Sequence, residues 1–201
     1  MKKHIPIILI FSRLILGLLI LFLSYINVQN FKTWGIICLV LGVLTDVFDG
    51  IIARKLEIST QTLRRLDSSI DQIFFFCTVA ATYIQCPNFY ANNFIKIVTL
   101  VASELLIYLV YFIKFKKEIA THSIGAKIWT LTLLILFIEI LATCESTFWF
   151  ELSFWLGILT RIEILSIILV LKHWTNDVPS IFHALKLRKG EEISRNKLFN
   201  G

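Results

Sequence analysis

The 201-residue chain is 57% apolar and 17% charged, with a formal net charge of +6. A soluble domain is nearer half apolar with about a quarter of its residues charged, and here the apolar residues come in long runs rather than at amphipathic spacing. This composition excludes an ordinary water-soluble globule. The basic residues sit between the apolar runs, which argues for membrane topology against nucleic-acid binding.

Crossing the hydrocarbon core takes about 20 apolar residues in a helix. By that measure six spans are predicted, near 5–28, 33–53, 67–84, 94–113, 124–143 and 152–172. The fold class is therefore all-α, a polytopic membrane bundle. No internal repeat or low-complexity linker interrupts it, so it is treated as one domain over 1–201 with a polar tail from about 190. The opening Met1-Lys2-Lys3-His4 and apolar run imitate a signal peptide, but the run is long, contains Arg13 and lacks a small-residue cleavage site. It is taken as a retained first span.

If the spans alternate, Lys2, Lys3, Arg54, Lys55, Arg64, Arg65, Lys114, Lys116, Lys117, Lys172 and the basic tail, including Arg195 and Lys197, share one side. Only Lys32 and Lys96 flank the other, together with Glu145 and Glu151. The positive-inside rule then places both termini and the 46–71 segment at the cytoplasmic face of the cell membrane. Trp34, Tyr83, Tyr90, Trp149, Trp155 and Trp174 lie near span ends, where aromatic rings anchor at the interface. After the last span, Asn176-Asp177-Val178-Pro179-Ser180 is predicted to start a short interfacial helix that ends at Gly190. Cys38, Cys77, Cys86 and Cys144 have no zinc-like spacing. Cys86 and Cys144 fall in links assigned to the outer face, but spacing alone does not pair them and the reading leans away from that bond.

The chemistry-bearing stretch is Asp46-Val-Phe-Asp49-Gly50-Ile-Ile-Ala53-Arg54, followed by Asp67-Ser-Ser-Ile-Asp71. At about 100° per residue, Asp46, Asp49, Gly50 and Ala53 share a face of the second span. Asp67 and Asp71, one turn apart, share a face of the third. A single intramembrane Asp is as readily a helix–helix hydrogen bond as a functional group. Four around one short link are costly at membrane depth unless they serve a site. Left alone they would repel one another. With one or two divalent ions they form an oxygen-ligand set of the kind Mg²⁺ or Mn²⁺ takes when phosphates complete the shell. Gly50 and Ala53 are small enough for a ligand to approach the backbone, and Arg54 can hold phosphate oxygens.

This pattern, with its fixed gap, resembles the signature of the CDP-alcohol phosphatidyltransferases. These integral membrane enzymes move a phosphatidyl or phospho-alcohol group from a CDP-linked donor to an acceptor hydroxyl and release CMP. Ile5-Pro6 and Arg13 also match the opening of many members. The resemblance implies that Asp46, Asp49, Asp67 and Asp71 hold two divalent ions (Mg²⁺ or Mn²⁺) at the donor pyrophosphate, and that Asp71 is the catalytic base. It further implies that Asp49, Gly50, Ala53 and Arg54 line the CDP site, with CDP-diacylglycerol as donor, membrane lipids as surroundings and a homodimer by analogy.

The acceptor is less legible. Lys127 and Arg161 would suit a phosphorylated alcohol, with glycerol 3-phosphate, a phosphatidylglycerophosphate-synthase-like reaction, as first choice and inositol phosphate or serine as alternatives. Each cation also has a plainer explanation: Lys127 can snorkel, and Arg161 can pair with Glu104, Glu139 or Glu163. His122 is assigned to a loop. The family pattern carries a second glycine four residues before its third Asp, where this chain has Leu63. That departure bears on the nucleotide pocket and keeps a catalytically impaired member among the alternatives. A cation- or proton-coupled transporter is the alternative from another class.

Overall fold

The computed structural model describes residues 5–56, 60–116, 124–173, 175 and 178–191, apart from the side chains of Arg54, Gln61, Thr62, Arg64 and Ile124. Lys2, Lys3, Lys117, His122, Trp174, Asn176, Asp177, Arg195 and Lys197 lie outside the described residues. Among the described residues there is no strand. The helices in order are α1 (Ile5–Tyr25), α2 (Phe31–Lys55), α3 (Gln61–Gln85), α4 (Pro87–Asn92), α5 (Phe94–Phe115), α6 (Ile124–Thr143), α7 (Phe148–Val170) and α8 (Ile181–Arg188).

Among the described residues, six long helices lie at the positions of the six expected spans. Among the described residues, five of them are long and apolar enough to cross a membrane; α3 is not among those five. Its first half carries Gln61, Arg64, Arg65, Asp67, Asp71 and Gln72, so its hydropathy is diluted where the carboxylates lie.

Local chemistry explains most of the ends. Asn27 and Asn30 take positive φ (52° and 65°) between α1 and α2, a conformation asparagine tolerates better than most residues. Thr60 caps α3 by accepting the Leu63 N–H at 3.2 Å, as N-cap threonines do. The link expected between the third and fourth spans contains a helical turn, α4, with Pro87 at its first position, where a missing N–H costs nothing. The C-terminal helix starts after Ser180, so Pro179 precedes it rather than entering its first turn. It stops at Gly190 (φ 82°), with the Glu191 N–H bonding Lys186 O and the Gly190 N–H bonding Leu187 O, the paired closure of a Schellman motif.

The chain divides into two compact units. The first holds α1 to α4 and the C-terminal part of α6 from Leu134. In α1, Pro6, Ile10, Arg13, Gly17, Ile20 and Ser24 are buried, an alternating four- and three-residue spacing that makes one continuous stripe. Phe74 of α3 fills the space between two glycines. A Cβ added at Gly17 would lie 3.1 Å from the Phe74 Cα, and one at Gly42 would lie 2.2 Å from the Phe74 ring. Further along, Ser24 donates to Ala81 O at 2.9 Å, and Gln85 donates to Ser24 O at 3.0 Å. Cys86 and Cys144 form a disulfide. The expectation that leaned away from this bond is thus corrected: α3 and the end of α6 finish side by side in this unit, a proximity that sequence spacing does not encode.

The second unit holds α5, the first part of α6, α7 and α8. Lys114 near the end of α5 donates to Ile168 O and Leu169 O at 2.8 and 2.9 Å, satisfying carbonyls of the last turn of α7. Lys96 pairs with Glu151 at the other end of the same two helices. Ala184 of α8 packs with Val178, Ile167 and Leu171, while Phe182 stays exposed.

Candidate active site

Asp46 and Asp49 stand one turn apart near the end of α2, and Asp67 and Asp71 near the start of α3. Carboxylate oxygens of Asp46, Asp49 and Asp67 lie within 4.8 Å of one another. Asp71 joins them through a residue of α1. The Arg13 guanidinium reaches all four carboxylates: Nη1 lies 3.1 Å from Asp46 Oδ1 and 3.0 Å from Asp67 Oδ1 and also contacts Asp71, while Nη2 contacts Asp49. Arg13 is 1% exposed and Asp49 2%, whereas Asp46, Asp67 and Asp71 are half-buried. The cluster therefore has a closed side at Asp49 and an open side at the other three.

Helical spacing puts the four aspartates on the faces of α2 and α3 that meet here, but it gives no place to Arg13. The signal was present: Arg13 is the only charged residue between Ile5 and Val28. A guanidinium at that depth needs anionic partners, and the four aspartates are the nearest candidates by topology. Sequence could not show that one fork would span all four.

Gly50 is half-buried and Ala53 buried on the same side of α2 as Asp49. Arg54 continues that helix, but its side chain is outside the described set. Leu63 lies half-buried in the first turn of α3, in the helix that Thr60 caps. Lys127 is exposed on the first turn of α6. Arg161, in the second unit, is buried and takes the plainer partner: its Nη2 lies 2.9 Å from Glu104 Oε2, and its Nη1 donates to Gly157 O at 3.0 Å. Its guanidinium also stacks 4.3 Å from the Trp129 ring centre, a cation–π contact.

The donor set can be tested against a divalent cation. Four carboxylates and Arg13 carry a formal charge of −3. One divalent ion would bring that to −1 and a second to +1, a balance that a pyrophosphate ligand would offset. All the donors are hard carboxylate oxygens, the type Mg²⁺ and Mn²⁺ select. The residues fit such an ion.

A profile of the CDP-alcohol phosphatidyltransferase family matches residues 3–172. The chain belongs to that family. This CDP-alcohol phosphatidyltransferase is a membrane-embedded transferase of phospholipid synthesis, and the family generally depends on a divalent metal. It is 33% identical over 177 residues to the CDP-diacylglycerol–glycerol-3-phosphate 3-phosphatidyltransferase of Aquifex aeolicus (strain VF5), covering 86% of this chain and 93% of that relative. No solved structure matches it. Family membership sets aside the transporter alternative.

Proposed function

We propose that this phosphatidyltransferase moves the phosphatidyl group of CDP-diacylglycerol to a hydroxyl of glycerol 3-phosphate and releases CMP. The observation that carries the reading is the meeting of four carboxylates from α2 and α3 on one buried guanidinium of α1. The acceptor rests on the Aquifex aeolicus relative.

In this reading Asp46, Asp49, Asp67 and Asp71 supply the oxygens that hold Mg²⁺ or Mn²⁺, and two ions suit the charge balance. A divalent cation bound there supplies charge neutralisation at the pyrophosphate and stabilises the departing phosphate. Asp71 takes the proton from the acceptor hydroxyl as its oxygen bonds to the diacylglycerol-bearing phosphorus. The bond from that phosphorus to CMP breaks, and CMP leaves with the electron pair. Gly50 and Ala53 let the nucleotide approach α2, and Arg54 donates to its phosphates. Lys127 and Arg161 are assigned to the acceptor phosphate. For Arg161, Nε is the donor that Glu104 and Gly157 leave without a partner.

The family match runs across both compact units, which supports one functional domain. The basic links support a cytoplasmic site and cytoplasmic termini in the cell membrane. The Cys86–Cys144 bond supports the same orientation, because it lies at the opposite end of α3 from Asp67 and disulfides persist on the oxidising side. A homodimer belongs to the same proposal.

The test is CMP release from CDP-diacylglycerol by purified protein with a panel of acceptor alcohols. Glycerol 3-phosphate is expected to be the preferred acceptor. Chelation should abolish turnover, and Mg²⁺ or Mn²⁺ should restore it. Asp71→Ala is expected to lower kcat by about a hundredfold or more, the scale of a lost general base. Metal-independent CMP release, or full activity in Asp71→Ala, refutes the assignment.

A further inference from the structure

Arg13 lies outside the aspartate motif and reaches it from another helix. We propose that Arg13 is an internal counter-cation, a positioning residue that holds Asp46, Asp49, Asp67 and Asp71 together without a divalent ion and yields them when one binds. The inference rests on the metal-site reading above and deepens it.

Four carboxylates that converge from two helices, one buried and three half-buried, repel one another unless a cation stands among them. Arg13 is that cation: it is 1% exposed and in contact with all four. Its planar fork is suited to several carboxylates at once, where the compact ammonium of lysine is not. Its Nε has no partner among the described residues, so the head group is held by the same carboxylates that a metal would claim. A divalent ion and a guanidinium competing for one set of oxygens repel each other, so one must give way. The direction of retreat is also visible. Gly17 and Phe74 close the site one turn further along α1, whereas the side chains of Asp46, Asp67 and Asp71 are 39%, 31% and 32% exposed. The guanidinium can leave toward that open edge.

The experiment uses Mn²⁺ alone, with free ion counted by electron paramagnetic resonance against full-length protein in detergent or nanodiscs. Arg13→Gln is expected to bind Mn²⁺ about tenfold tighter than the wild type. Its metal-free form should melt lower, so Mn²⁺ should raise its Tm by more than it raises the wild-type Tm. Arg13→Lys, whose single ammonium cannot span four carboxylates, should fall between the two and carries the test if Arg13→Gln does not fold. Equal or weaker Mn²⁺ binding in whichever variant folds overturns the proposal, since a purely structural arginine would leave metal affinity unchanged or reduced. If the wild type itself binds no Mn²⁺, the metal-site reading fails first, and that outcome is distinct.

Discussion

At the scale of single residues, the site joins positions that a local pattern predicts to one that it does not. Asp46, Asp49, Asp67 and Asp71 follow from helical spacing, because residues three and four apart share a face. Arg13 bonds Asp49, Asp67 and Asp71 across 36, 54 and 58 residues of chain, a separation at which periodicity carries no information. Leu63 is the departure from the family pattern, and its position limits its effect. It sits in the first turn of α3, its N–H accepted by the Thr60 hydroxyl, and it is not among the residues with positive φ. The backbone there needs no glycine. Leu63→Gly is therefore expected to cost about 1 kcal/mol of stability, the helix penalty of glycine. The KM for CDP-diacylglycerol should change less than threefold. A large gain in kcat/KM, measured by CMP release, would show instead that Leu63 obstructs the nucleotide.

At the scale of elements, the carboxylates converge because α1, α2 and α3 approach closely one layer away. Gly17 follows Arg13 by four residues, Gly42 precedes Asp46 by four, and Phe74 follows Asp71 by three. The Phe74 ring against these two glycines therefore forms the layer next to the charged one. A Cβ at Gly42 would fall 2.2 Å from that buried ring. Gly42→Ala is expected to destabilise the protein by about 1–3 kcal/mol, the usual cost of overpacking, and to weaken Mn²⁺ binding by shifting Asp46. Adding Phe74→Leu should recover much of the loss. A Gly42→Ala protein with unchanged Tm and Mn²⁺ affinity would mean that this contact does not set the helix spacing.

At the scale of the whole molecule, one end of α3 carries Asp67 and Asp71 and the other leads into Cys86. Eighteen residues of helix separate Asp67 from Gln85, about 27 Å at 1.5 Å per residue. That is close to the thickness of the hydrocarbon core. The disulfide should therefore face the oxidising side when the aspartates face the cytoplasm. In spheroplasts, a membrane-impermeant reductant is expected to release the Cys86 and Cys144 thiols, while the buried Cys38 and Cys77 stay unlabelled by an impermeant maleimide. Protection of Cys86 and Cys144 until the membrane is lysed would reverse the orientation. Replacing both by serine should lower Tm, by at most about 4 kcal/mol of stability for a 58-residue loop. CMP release should persist, because the bond is remote from the carboxylates.

Taken by itself, the sequence determined the membrane class, the places of the long helices and the faces of α2 and α3 that carry the aspartates. These are consequences of hydropathy and helical period, which act over a few turns. Tertiary structure alone decided that Arg13 reaches all four aspartates, that Phe74 meets two glycines, that Cys86 bonds Cys144 and that Arg161 pairs with Glu104. Each depends on which helix faces meet and at what height. Side-chain shape and close packing set that, and neither repeats along the chain.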